Sequence, residues 1–190
     1  MLLFVVVLAP LALSCADLSA YRYRQMYAMV NPHENHDRTF QDENLAFRFE
    51  IREKKIEVFI TNKSGSEIKL DWPDVKYIDA SGSKHGVANS QTLFTKNVDR
   101  TRPTILKPGR TEENVIVPLK NIEKLEQWTW SIKPFFNQED EEALSNKGSL
   151  FSVIIPVELA GDEAEGKISK LYSFRFKVTN VIPYRNHTPR

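Results

Sequence analysis

Residues 45–72 read LAFRFEIREKKIEVFITNKSGSEIKLDW, and their pattern decides the fold. Leu45, Phe47, Phe49 and Ile51 alternate with Ala46, Arg48, Glu50 and Arg52, the period of a strand with one face in a core and one in water. After the charged turn Glu53-Lys54-Lys55, Ile56, Val58 and Ile60 repeat the pattern against Glu57 and Thr61. Asn62-Lys63-Ser64-Gly65-Ser66 gathers turn formers, and Ile68, Leu70 and Trp72 then alternate with Glu67, Lys69 and Asp71 until Pro73. Three strands joined by short turns make a meander, the seed of an antiparallel sheet.

The same grammar continues downstream. Val75-Lys76-Tyr77-Ile78 and Lys84-His85-Gly86-Val87-Ala88 flank the turn cluster Asp79-Ala80-Ser81-Gly82-Ser83, which predicts another hairpin. Asn89 to Arg102 is irregular and polar apart from Leu93, Phe94 and Val98, a candidate for a loop crossing between sheets. At Lys107-Pro108-Gly109-Arg110, proline fixes φ and glycine supplies the positive φ of a tight turn. Further strands are expected with Val115, Val117 and Leu119 on one face, and with Trp128, Trp130 and Ile132 on one face. The cleanest late alternations are Phe151, Val153, Ile155, Val157 and Leu159, where Pro156 marks an edge or a bulge, and Tyr172, Phe174, Phe176 and Val178. Residues 137–149, NQEDEEALSNKGS, read as a solvated loop or one short helix. About seven to nine short strands without a convincing helix predict an all-β, antiparallel sandwich over residues 45–182, with a flexible tail at 183–190.

Upstream the chain changes character. Met1 to Ser14, MLLFVVVLAPLALS, is uncharged and almost wholly apolar, too short for the roughly 20 residues of a membrane-spanning helix but suited to the core of a signal peptide. The sole cysteine, Cys15, stands where the apolar run stops, directly after the small Ser14. The stretch resembles the lipobox of bacterial lipoproteins, with Ala12 where that signal usually has leucine. The resemblance implies a diacylglycerol thioether on Cys15, cleavage of residues 1–14, and location in the bacterial cell envelope on the outer membrane or the periplasmic face of the inner one. The alternative is an ordinary secretory signal with a stray cysteine near its end. Residues 15–44 carry no sustained period and read as a lipidated N-terminus and polar tether; packing of Tyr21 to Val30 against the domain is the other reading.

Composition narrows the function classes. Lys plus Arg number 26 against 25 Asp plus Glu, interspersed, for a net charge of +1, so no single-sign field draws nucleic acid. One cysteine excludes an internal disulfide and a thiolate metal cluster. With 41% hydrophobic residues in 190, one core can form without cross-links.

Candidate chemistry is sparse. His33 and His36 lie three apart, with His85 as a distant third ligand, which defines the alternative function of periplasmic metal binding or delivery. Pro32 and Asn35 oppose the helix that would bring the first two together. The carboxylates Glu139 to Glu142 lack the twelve-residue calcium pattern. Ser64, Ser66, Ser81 and Ser83 sit in turns outside a G-x-S-x-G context, although His85 lies close behind Ser83. Trp72, Trp128 and Trp130 are expected in the core rather than on a ligand ledge. Phe59 and Ile154 fall on nominally outward faces, which predicts that those faces are partly covered.

Val58-Phe59-Ile60-Thr61-Asn62-Lys63-Ser64, Leu106-Lys107-Pro108-Gly109-Arg110 and Phe174-Arg175-Phe176-Lys177-Val178 resemble signatures of bacterial immunoglobulin-like domains in lipoproteins. The likeness covers roughly residues 45–179 and implies a fold and a compartment, not an activity. The expectation is a non-catalytic envelope lipoprotein without a cofactor, bound to the membrane through Cys15 and to a protein or cell-wall partner.

Overall fold

A computed structural model describes residues 21–125, 129–139, 141–160 and 167–185. The described chain is predominantly β. All three strands of the expected meander form, β3 (Leu45–Ile51), β4 (Ile56–Asn62) and β5 (Ile68–Leu70), but only β3 and β4 pair as a hairpin; β5 crosses to the other sheet, so the single-sheet meander is corrected. Leu45, Phe47 and Phe49, then Ile56, Val58 and Ile60, then Ile68 and Leu70 are the buried sets. Trp72 follows in a 3-10 turn and is fully buried, its Nε1 donating to Thr104 Oγ1 at 3.1 Å.

These strands divide between two antiparallel sheets. The five-stranded sheet runs β2 (Thr39–Gln41), β3, β4, β10 (Thr111–Pro118), β8 (Val87–Ala88). The seven-stranded sheet has the path β1 (Tyr21–Asn31), β14 (Lys167–Arg185), β13 (Leu150–Ala160), β5, β9 (Thr104–Leu106). Its remaining members are β6 (Lys76–Ile78), paired with β13, and β7 (Lys84–His85), paired with β6. A separate two-stranded ribbon joins β11 (Ile122–Lys124) to β12 (Trp130–Ile132). The irregular segment after Ala88 does cross between sheets, since β8 and β9 belong to different ones.

One aromatic core holds the two sheets face to face. Phe47 and Phe49 of β3 meet Phe174 of β14 with ring centroids 4.8 and 4.7 Å apart, and Phe49 meets Phe176 at 5.2 Å. Each buried large apolar side chain contributes about 1.5–3 kcal/mol, and each well-placed ring pair about 0.5–1.5 kcal/mol more. Such a core stands without a disulfide.

Several expectations are corrected. The segment expected as a tether over 15–44 is largely part of the body: β1 pairs with β14 from Tyr21↔Arg185 to Asn31↔Arg175, and Tyr27, Ala28 and Met29 are buried. Of the tail expected at 183–190, Pro183, Tyr184 and Arg185 instead belong to the sheet, paired with Tyr23, Arg22 and Tyr21, and 186–190 lie outside the described residues. The strand count exceeds the expected seven to nine, as short edge segments of two or three residues show too little alternation to register in a sequence. On β10 the face is reversed: Ile116 lies opposite the core residue Ile56, whereas Val115 lies opposite Glu57. Trp130 and Ile132 are half-buried on the ribbon rather than in the main core, and Trp128 lies outside the described residues.

Candidate functional site

The β6–β7 hairpin gathers the chemically suggestive side chains. Asp79 Oδ1 accepts the Ser81 N–H at 2.9 Å, the Ser81 hydroxyl at 2.6 Å and the Ser83 N–H at 3.0 Å. Its Oδ2 lies 2.8 Å from His85 Nε2 and accepts the Lys120 ammonium. Burial would raise this carboxyl, but Lys120, Ser81, His85 and the Ser83 N–H together hold it well below the usual carboxylate range. The chemistry follows from who bonds to whom. A hydrolytic relay needs the serine hydroxyl on one imidazole nitrogen and the carboxylate on the other. Here serines and imidazole converge on the same carboxylate, and the Ser81 and Ser83 hydroxyls contact each other at 2.9 Å. The arrangement ties a turn, with Gly82 at φ 86° closing it.

The other sequence candidates disperse. The ring of His33 packs against Phe40 at 6.1 Å, the His36 carbonyl accepts from Arg38, and His85 is on Asp79. The three histidines do not converge, and among the described residues no group of three His, Cys, Asp or Glu side chains is placed to hold a metal. Glu141 and Glu142 open a 3-10 turn, Glu141–Asn146, that buries only Ala143. Ser64 and Ser66 belong to the turn organised by Asn62. Asp140 and Cys15 lie outside the described residues. Phe59 is covered: the Arg48 guanidinium lies 3.7 Å from its ring centroid. Ile154 is half-buried between its strand partners Ser173 and Lys76.

A cleft of about 760 Å³ opens where β1 meets the β3–β4 turn, a size in the range of small-molecule sites. Arg38 builds it. Its Nε donates to the Phe49 carbonyl at 3.2 Å, and its Nη1 to the Tyr27 carbonyl at 3.0 Å and the His36 carbonyl at 2.8 Å, so one guanidinium joins β3 to β1 across the sandwich. The turn adds Arg52, Glu53, Lys54 and Lys55. Met26 and the loop residues Leu93 and Phe94 form apolar walls, with Ile51 and Ile132. Arg38 (φ 55°) and Phe94 (φ 67°), the non-glycine residues with positive φ among those described, both line this cleft. Backbone held in that region costs about 1–3 kcal/mol and tends to gather at ligand sites. The isolated Leu93-Phe94 pair in a polar loop was the one local signal for it; Arg38 gave none, because its role rests on two distant strands.

No protein-family model, no curated protein and no solved structure matches the chain.

Proposed function

We propose that the protein is a lipid-anchored lipoprotein of the bacterial cell envelope whose immunoglobulin-like sandwich acts as a non-catalytic binding or structural module. The observation that carries this reading is the position of the only thiol, Cys15, immediately after an apolar run of signal-peptide length. Two or more acyl chains make such an anchor stable, at ~0.8 kcal/mol per buried methylene.

Two structural features support it. Strand β1 starts at Tyr21, six residues after Cys15, so at ~3.3–3.6 Å per residue a lipid on that cysteine would hold the start of the sheet within about 20 Å of the bilayer. Two of the three stretches that carry the immunoglobulin-like resemblance also meet in space, since the Asn62 amide donates to the Leu106 carbonyl at 2.9 Å. The partner is a protein or cell-wall component, and the sheet edge at β9, with Ile105 56% exposed, offers backbone groups for strand pairing.

Detergent phase partition of wild type and Cys15→Ser tests the anchor. The wild type is expected in the detergent phase and the variant in the aqueous phase. Equal aqueous recovery of both would overturn the proposal.

A further inference from the structure

We propose that the cleft between β1 and the β3–β4 turn binds a free single-chain amphiphile with an anionic head, a carboxylate or phosphate on an alkyl body. The charge of the walls selects the head. Among the five cations of the cleft, Arg52 and Lys55 are already paired, with Glu50 at 2.7 Å and Glu57 at 2.8 Å. Arg24, Arg38 and Lys54 have no carboxylate partner among the described residues, and Glu53 is the one carboxylate in the lining. Arg38 is oriented by backbone carbonyls, and no carboxylate among the described residues pairs with its guanidinium where it lines the cleft.

The apolar walls select the body. Met26 is 45% and Phe94 60% exposed, in contact with solvent on the same cleft that Leu93 and Ile132 line. An alkyl chain removes that surface from water while its head meets the three cations. Phe94 sits at a positive φ that a phenylalanine rarely adopts, so the loop presents this ring against its local preference. A bilayer-embedded lipid fits less well, because Arg38 is half-buried and its ligand must enter the cleft.

Binding in this cleft is independent of the lipid anchor. Calorimetric titration uses the full chain carrying Cys15→Ser, which removes any acyl chain of its own as a competitor. Dodecyl phosphate below its micellar concentration is expected to bind one to one. Its affinity is expected to exceed those of dodecyltrimethylammonium and inorganic phosphate by about tenfold or more, because head and body both contribute. Arg24→Gln combined with Lys54→Gln alters exposed side chains and should weaken dodecyl phosphate by about tenfold while leaving the thermal midpoint in place. Phe94→Ala should weaken it independently. Equal affinity for the cationic and anionic amphiphiles, full affinity in both variants, or binding only to vesicles containing phosphatidic acid would overturn the proposal.

Discussion

The side chain of Asn62 donates to the Leu106 carbonyl at 2.9 Å and to the Ser66 carbonyl at 2.8 Å, while its Oδ1 accepts the Ser64 N–H at 2.9 Å. Asn62 is fully buried, and its own backbone exchanges bonds with Gly109 and Arg110, both at 2.9 Å. One residue therefore fastens the turn after β4 to the turn before β10. Gly109 at φ 70° allows the second turn to approach. Asn62→Ala would leave the Leu106 carbonyl of a buried bond without its side-chain donor and open the part-buried bond to Ser66, so a loss of roughly 1–3 kcal/mol in urea unfolding is expected. A change below half a kilocalorie would show that the two turns hold themselves.

Asp42 predicts an acid-sensitive seam. Its Oδ2 accepts Lys170 Nζ and the Tyr172 hydroxyl, each at 2.8 Å, and its Oδ1 accepts the Leu45 N–H at 2.8 Å and the Asn44 N–H at 2.9 Å. Burial alone would raise the carboxyl, but the bonds from Lys170, Leu45, Tyr172 and Asn44 outweigh it and bring it down from 3.8 to about 2. A carboxyl depressed in the folded state stabilises above its unfolded value and loses that contribution as pH falls through the folded one. Stability should thus decline between about pH 4 and pH 2, and Asp42→Asn should flatten that limb while costing about 1–3 kcal/mol at pH 7. Parallel acid limbs in wild type and variant would count against this role.

The first strand makes a sharper test of the fold. A chain starting at Tyr21 keeps β1 and its ten-residue register with β14, and cooperative thermal unfolding is expected. A chain starting at Pro32 loses the buried Tyr27, Ala28 and Met29 and leaves β14 as an open edge, so aggregation or a non-cooperative melt is expected. If the shorter chain melts as sharply as the longer, β1 is an ornament and not a member of the sheet.

That strand also shows where sequence patterning ends. Alternation located β3, β4 and β5 and placed the core residues of β13 and β14, because each buries one regular face. In β1 the register shifts at Met26/Tyr27 and again at Met29/Asn31, so three consecutive residues, Tyr27 to Met29, are buried and no period of two survives. On β10 the run Val115-Ile116-Val117 is apolar on both faces, which hides the parity that its partner β4 imposes. The cleft was illegible for a different reason: its cations come from β1, the following loop and the β3–β4 turn, and only the packing of two sheets brings them together.

Phe59, apolar on an outward face, is accounted for by its cross-strand partner Arg48, whose guanidinium lies over the ring. Exposed cation–π contacts contribute about 0.5–1 kcal/mol, so a double-mutant cycle with Arg48→Gln and Phe59→Leu should return a coupling energy of that size. Strict additivity would mean that the ring is covered without being held.

The proposed anchor, acylated Cys15 holding this β body at a bacterial membrane, is tested most directly by the mass of the mature amino-terminal peptide isolated from expressing cells. The expected result is a chain beginning at Cys15 and heavier by a diacylglyceryl group with its acyl chains. A mature terminus at any other residue, or an unmodified Cys15, would contradict it.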